Sequence, residues 1–134
     1  STNAGPRNAY KCKDGLYVCL SSSTQKMAER LFHSIGRFEF ITDPRYATNA
    51  ERVKHAEELD AVIGDFVAQR TQAENVAFFE KAEVTIGPIY DITQIVEDPH
   101  FIARGILSEY PDAEMGEFPM HHVVPRMSGT PGSI

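Results

Sequence analysis

The sequence predicts an α+β chain: an N-terminal β-hairpin, a helical middle and a C-terminal antiparallel strand pair, packed as one small domain. Three observations predict it. Asp14-Gly15, a dipeptide that favours tight hairpin turns, lies between two short runs rich in aromatic and aliphatic residues. Apolar residues then recur at helical spacing from Met27 to Ala82, punctuated by capping signals. Finally, strand-like segments at 106–110 and 118–124 flank a loop at 111–116 that begins with Pro111 and ends with Gly116.

The hairpin occupies residues 10–20. With a two-residue Asp14-Gly15 loop, Tyr10, Cys12, Tyr17 and Cys19 share one face, while Lys11, Lys13, Leu16 and Val18 share the other. The uncharged first set is expected to point inward. Cys12 and Cys19 would then be diagonal neighbours about 7–8 Å apart, too far for a regular disulfide. They read as free thiols, which fits a reducing, cytoplasmic setting.

Ser22 with Gln25 forms the spacing of a capping box. The helix that follows places Met27, Ala28, Leu31, Phe32 and Ile35 on one arc and stops at Gly36. Asp43-Pro44 reads as a short second helix start. The longest helix is predicted over 50–70 with Asn49 as its cap. Val53, Ala56, Leu59, Val62, Ile63, Phe66 and Val67 line its apolar half. Thr71 with Glu74 makes another capping box, and Val76, Phe78, Phe79 and Ala82 face the core beyond it. Val84-Thr85-Ile86 reads as a short strand or an extended segment entering a Gly87-Pro88 turn. Asp91 caps a brief helix holding Ile92, Ile95 and Val96, and Asp98-Pro99 opens another that ends at Gly105.

Composition excludes several functions. The chain has 134 residues, 13 Lys+Arg against 19 Asp+Glu, and a net charge of -6, so it lacks the basic footprint of a nucleic-acid or anionic-lipid binder. No apolar run approaches the ~20 residues of a membrane span. No charged-then-apolar leader pattern opens the sequence, and Ser1 to Ala4 read as an expression remnant or a frayed end.

A search for self-contained chemistry finds little. No Cys-x-x-Cys, His-Glu-x-x-His or EF-hand spacing is present, so no metal site is expected. Adjacent His121 and His122 would point to opposite faces of a strand. His33 falls on a polar helix face, His55 where polar and apolar arcs meet, and His100 in the first turn of a short helix. Ser128-Gly129 lacks the flanking glycine pattern of a hydrolase elbow. Ser21 to Ser23 read as a strand end and cap, and Glu57 with Glu58 as a solvated face.

Taken in order, the pieces resemble the small domain of family III CoA-transferases, the group that includes formyl-CoA transferase and carnitine CoA-transferase. The match runs through Lys13-Asp14-Gly15, Asp43-Pro44-Arg45-Tyr46, Asn49-x-Glu51-Arg52, and Thr71 with Glu74. It continues through Gly87-Pro88-Ile89-Tyr90, Asp98-Pro99-x-Phe101 with Ala103-Arg104-Gly105, and Pro125-x-x-Ser128-Gly129-Thr130-Pro131-Gly132. Each piece is weak alone; their fixed order across nearly the whole chain carries the resemblance.

The resemblance implies a small domain at 9–124, residues 1–8 as remnant and loop, and 125–134 as a linker towards a large Rossmann-like domain outside this chain. It implies an interlocked homodimer that moves coenzyme A from an acyl-CoA to a carboxylic acid. An aspartate of the large domain would carry the acyl and CoA intermediates, so no catalytic residue is expected here. No cofactor is expected to bind tightly, the coenzyme A thioester being a substrate. Gly5, Arg7 and Asn8, where a glycine-rich loop of relatives would end, and Gly87, Pro88 and Tyr90 are the candidate rim of the CoA pocket. Arg104 is a helix-end cation favoured by the dipole, or a partner for a large-domain acid or a CoA phosphate. Two other readings remain open: the small domain of a 2-methylacyl-CoA racemase on the same scaffold, and a stand-alone binding domain.

Overall fold

The computed structural model describes residues 3–133. Ser1 and Thr2 of the expected remnant, and Ile134 of the expected linker, lie outside them. The chain divides into two compact units, one up to Ile89 and one from Tyr90 onward.

The first unit begins with strands β1 (Arg7–Lys11) and β2 (Tyr17–Ser21), paired antiparallel with Tyr10 opposite Val18 and Ala9 opposite Cys19. This register differs by one residue from the two-residue-turn expectation. Cys12 N–H donates to Leu16 O at 2.8 Å, Gly15 N–H donates to Cys12 O at 3.0 Å, and Gly15 takes φ +85°. The loop therefore holds Lys13, Asp14 and Gly15, with the glycine as a left-handed bulge residue. A one-residue slip turns every β2 side chain over. Val18 and Leu20, not Tyr17 and Cys19, join Tyr10 and Cys12 in the interior. Burying two aliphatic side chains and leaving a phenol and a thiol at the surface is the better use of apolar area. The two thiols consequently lie on opposite faces, Cys12 buried and Cys19 exposed.

Helix α1 (Gln25–Ser34) is capped by Thr24, whose hydroxyl accepts Met27 N–H at 3.3 Å, and Gly36 ends the turn at φ +73°. Ser22, expected as the cap, is buried, and its N–H donates to Pro6 O at 2.9 Å. A short 3-10 turn covers Phe38–Ile41. Asp43-Pro44 opens no helix. The Asp43 carboxylate accepts Arg45 N–H at 2.9 Å in a local turn and grips the guanidinium at 2.7 Å. The predicted long helix is two: α2 (Asn49–Lys54) and α3 (Ala56–Val67). Thr48 caps α2, and the break falls at His55, half-buried with its ring edge-on to Tyr46 at 6.0 Å. No glycine or proline announces this break; tertiary packing imposes it. Helix α3 also ends short of Arg70: the Gln69 and Arg70 N–H groups turn back to Phe66 O and Val67 O at 3.4 and 3.2 Å, and the Asn75 amide Nδ2 adds a donor to Val67 O, Arg70 O and Thr71 O around this turn.

Helix α4 (Gln72–Lys81) carries the predicted box: Thr71 Oγ1 accepts Glu74 N–H at 3.3 Å and Glu74 Oε2 accepts Thr71 N–H at 2.8 Å. Strand β3 (Ile86–Ile89) then adds antiparallel to β2, with Cys19 opposite Gly87 and Val18 opposite Pro88. The expected Gly87-Pro88 turn is therefore a strand. Proline is tolerated because β3 is an edge strand in the order β1-β2-β3. One apolar cluster joins the inner sheet face to Leu31, Ile63, Val67 and Phe79; a second gathers Ala28, Phe32, Phe40, Tyr46 and Leu59.

The second unit contains α5 (Ile92–Glu97) and α6 (Pro99–Ala103), capped by Asp91 and Asp98 as the sequence indicates. Strands β4 (Leu107–Asp112) and β5 (Gly116–His121) form its hairpin, with Tyr110 opposite Phe118. No helix among the described residues is long and apolar enough to cross a membrane.

Candidate functional site: the outer face of the three-stranded sheet

The alternation that buries Tyr10, Cys12, Val18 and Leu20 sends Arg7, Ala9 and Lys11 of β1 to the opposite face, with Tyr17, Cys19 and Ser21 of β2 beside them. Gly87 and Ile89 complete this outer face from β3. An open groove of about 480 Å³ runs over it, bordered by Arg7 and Asn8 at one side and Thr85 to Gly87 at the other, with Cys19 and Ser21 between.

Its floor is low for a chemical reason. A Cβ added at Gly87 would meet Cys19 Sγ at 3.6 Å, an ordinary contact, so the glycine relieves no clash but leaves a methyl's worth of space. The Cys19 thiol donates to Gly87 O at 3.4 Å. Asn8 donates from Nδ2 to Asp60 Oδ2 at 2.7 Å, and Asp60 Oδ1 accepts the Tyr10 hydroxyl at 2.6 Å. Burial first, then the Asp60 hydrogen bond and charge, push the Tyr10 phenol well above its usual range. It therefore stays a neutral donor and ties β1 to α3. At the far end of the sheet, Gln72 donates from Nε2 to Tyr17 O at 2.7 Å and Ile89 O at 3.2 Å, closing β2 onto β3.

Among the described residues, no carboxylate or imidazole borders the groove, and Arg7 is the one charged residue on its border. The arrangement suits holding an apolar chain with an anionic group near Arg7. Its nucleophilic groups are the Cys19 thiol and the Ser21 hydroxyl, with no carboxylate or imidazole among the described lining residues to activate them. Among the described residues, no three His, Cys, Asp or Glu side chains gather as metal ligands.

Of the six rim residues named from the sequence, the structure brings Arg7, Asn8 and Gly87 to this groove. Gly5 is buried, and its Cβ position lies 3.6 Å from Arg52 O of α2, so it supports the rim without lining it. Pro88 lies opposite Val18, in register with the inner-facing residues. Tyr90 belongs to the second unit, where its hydroxyl bonds Asp98. Arg104 is exposed at the end of α6. Cys19 and Ser21 went unrecognised as groove residues because the mistaken register had turned Cys19 inward. The charge of Lys11 and the half-apolar run Tyr17 to Leu20 were the signals available.

The family model for CoA-transferase family III matches residues 1–134. The chain is 35% identical over 132 residues to succinyl-CoA–D-citramalate CoA-transferase of Chloroflexus aurantiacus, covering 98% of this chain and 33% of that protein. It is 28% identical over 90 residues to formyl-CoA:oxalate CoA-transferase of Rhodopseudomonas palustris, covering 67% of this chain and 21% of that protein. Among solved structures, a CAIB/BAIF family protein from Brucella suis superposes with a TM-score of 0.78 at 25% identity, over 98% of this chain and 33% of that one. Rv3272 from Mycobacterium tuberculosis superposes with a TM-score of 0.77 at 21% identity, over 98% and 36% respectively. The chain belongs to CoA-transferase family III. It spans about a third of the length of curated relatives such as that citramalate CoA-transferase and the succinyl-CoA–L-malate CoA-transferase beta subunit of Chloroflexus aurantiacus.

Proposed function

We propose that this chain is the small domain of an enzyme that transfers coenzyme A from an acyl-CoA thioester to a carboxylic acid. The reacting aspartate, and the acyl and CoA intermediates formed on it, belong to a large domain outside these residues. The supporting observation is one of proportion: nearly the entire chain aligns with a third of a CoA-transferase, and no aspartate is among the described residues that line its groove. The small domain's own contribution is to cover and orient the thioester. Arg7 meets an anionic group, and the floor at Cys19 and Gly87 accepts the adjoining apolar chain.

The relatives named for succinyl-CoA with citramalate and malate make succinyl-CoA the first donor to test, with a small hydroxydicarboxylate as acceptor. Those transferase names also favour CoA transfer over 2-methylacyl-CoA racemisation. The parent polypeptide is proposed to act as a cytoplasmic interlocked homodimer, and the isolated chain to be inactive. Pro125 to Ile134 are proposed to lead towards the large domain.

The test is a transfer assay on the full-length polypeptide, with succinyl-CoA and D-citramalate or L-malate, following the new CoA ester by mass. Transfer is expected, and Gly87→Ala, which fills the floor without backbone strain, is expected to raise KM for the acyl-CoA. Thioester hydrolysis or epimerisation with no acceptor-dependent CoA ester would overturn the proposal.

A further inference from the structure

The segment that delivers Arg7 and Asn8 to the groove is held by one face of α2. Thr48 does the capping there, accepting Glu51 N–H at 3.3 Å, which frees Asn49 for another purpose. Asn49 Oδ1 accepts Gly5 N–H at 3.1 Å, and its Nδ2 donates to Asn3 O at 3.2 Å. Three residues on, Arg52 donates from Nε to Gly5 O at 2.8 Å. Its Nη1 donates to Gln25 Oε1 at 2.8 Å and Tyr46 O at 3.0 Å, and its Nη2 to Ser23 O at 3.4 Å. Pro6 O accepts Ser22 N–H at 2.9 Å, so the strip is gripped from a second side.

Arg52 is only 1% exposed, and every acceptor just named is a neutral oxygen. Burying a guanidinium on such partners is a poor way to stabilise a fold, since desolvation outweighs what neutral acceptors return. Its pKa is lowered by that desolvation, with Glu29 offsetting part of it at longer range. A leucine there would cost less and still fill space. What only the planar, five-donor arginine accomplishes is to join the strip before β1, the turn before α1 and the Tyr46 turn at a single point.

We propose that Asn49 and Arg52 are positioning residues: they fix the path of residues 3–6 and so set where Arg7 and Asn8 stand against the acyl-CoA. This rests on the groove being an acyl-CoA surface, as proposed above. Neither residue touches the groove itself.

Two measurements separate the clamp from that functional reading. The first is residue-resolved amide exchange on this chain. Asn49→Ala should speed Gly5 exchange about tenfold, the size of one lost hydrogen bond, while Ile63 in the core is unchanged. Asn49→Asp keeps the acceptor oxygen and should retain Gly5 protection. Arg52→Gln should extend the loss to Ser22; if that variant does not fold, the two Asn49 variants still decide. The second is steady-state kinetics on the full-length polypeptide. Asn49→Ala should raise KM for the acyl-CoA several-fold with kcat nearly constant, and Asn49→Asp should restore it. Unchanged Gly5 exchange, or an even loss across Ile63 and Gly5, overturns the clamp. A loosened Gly5 with unaltered KM overturns the positioning role alone. A wild-type polypeptide without CoA transfer would instead sink the functional reading and with it the role at acyl-CoA, a failure that Gly5 exchange cannot mimic.

Discussion

The two units differ in how they use apolar residues. Every buried apolar side chain recorded lies at or before Val84, in two clusters closed by the sheet and helices α1, α3 and α4. The elements α5, α6, β4 and β5 bury no residue at all, and Ile92, Val96, Ile102 and Phe118 are exposed on them. The first unit thus draws stability from its own interior. The second is held by local devices: the Asp91 and Asp98 caps, the hairpin ladder, and the Arg126 guanidinium donating to Gly105 O at 2.9 Å. Caps and short ladders contribute about 1 kcal/mol each, whereas a large core side chain contributes several. Substitutions in the two halves should therefore differ sharply in consequence.

The largest effect is expected at Phe79, fully buried where α4 meets the sheet. Phe79→Ala should destabilise the chain by about 3–5 kcal/mol in urea unfolding followed by circular dichroism. A loss below about 1 kcal/mol would break the contrast between the halves.

Asn75→Ala comes next. It removes the buried amide that adds a second donor to Val67 O, Arg70 O and Thr71 O, each of which keeps a backbone N–H, so the loss should be about 1 kcal/mol. Amide exchange should loosen first around residues 67–75. A uniform loss would instead place Asn75 in the global core.

Phe118→Ala is the counterpart from the second unit. The ring is 41% exposed on β5, so the main unfolding transition should move by less than about 0.5 kcal/mol. A loss comparable to Phe79→Ala would show that the second unit has an interior after all.

The smallest effects are in pH, and here the halves should respond with opposite sign. In the first unit, the Glu74 carboxyl is held below its usual range by accepting the Thr71 N–H, then its hydroxyl. Its contribution is present above the ordinary carboxylate range and fades as pH falls through the depressed value. In the second, Glu109 and Glu117 lie diagonally on one face of the hairpin, because Pro111 pairs with Glu117 and Pro119 with Glu109. Their shared hydrogen bond, then their repulsion, raise the Glu109 carboxyl. That contribution is complete in acid and is lost as pH rises through the raised value. Acidification should therefore loosen the start of α4 and tighten β4 against β5, as read by amide temperature coefficients; Glu117→Gln should abolish the second response. A Glu117→Gln hairpin that keeps the same pH dependence would contradict this account.

Legibility followed range along the chain. Thr71 with Glu74, the Asp91 cap and Asp98-Pro99 were readable because a cap is completed within four residues. The hairpin was found but its register was not. Asp14-Gly15 serves two-residue and three-residue loops alike, and only the competition between Val18/Leu20 and Tyr17/Cys19 for the interior decides. Strand β3 was legible only as a short strand or extended segment at 84–86; its course through Gly87-Pro88 and its pairing were not, because its partner is 68 residues away at Cys19 and Gly87-Pro88 reads as a breaker. Asn49 read as a helix cap, and Arg52 falls inside the apolar arc of its helix with nothing local to explain a cation there. Their actual partners, Gly5 and Ser23, are contributed by other parts of the chain. The rim was half legible for the same reason: Arg7, Asn8 and Gly87 converge only once the sheet has formed.

The most direct test of the central claim is a calorimetric titration of succinyl-CoA into the isolated chain, followed by assay of the same sample for acceptor-dependent CoA transfer. A groove that orients a substrate held mainly by another domain predicts weak or undetectable binding and no turnover. Tight one-to-one binding with turnover by these 134 residues alone would contradict it.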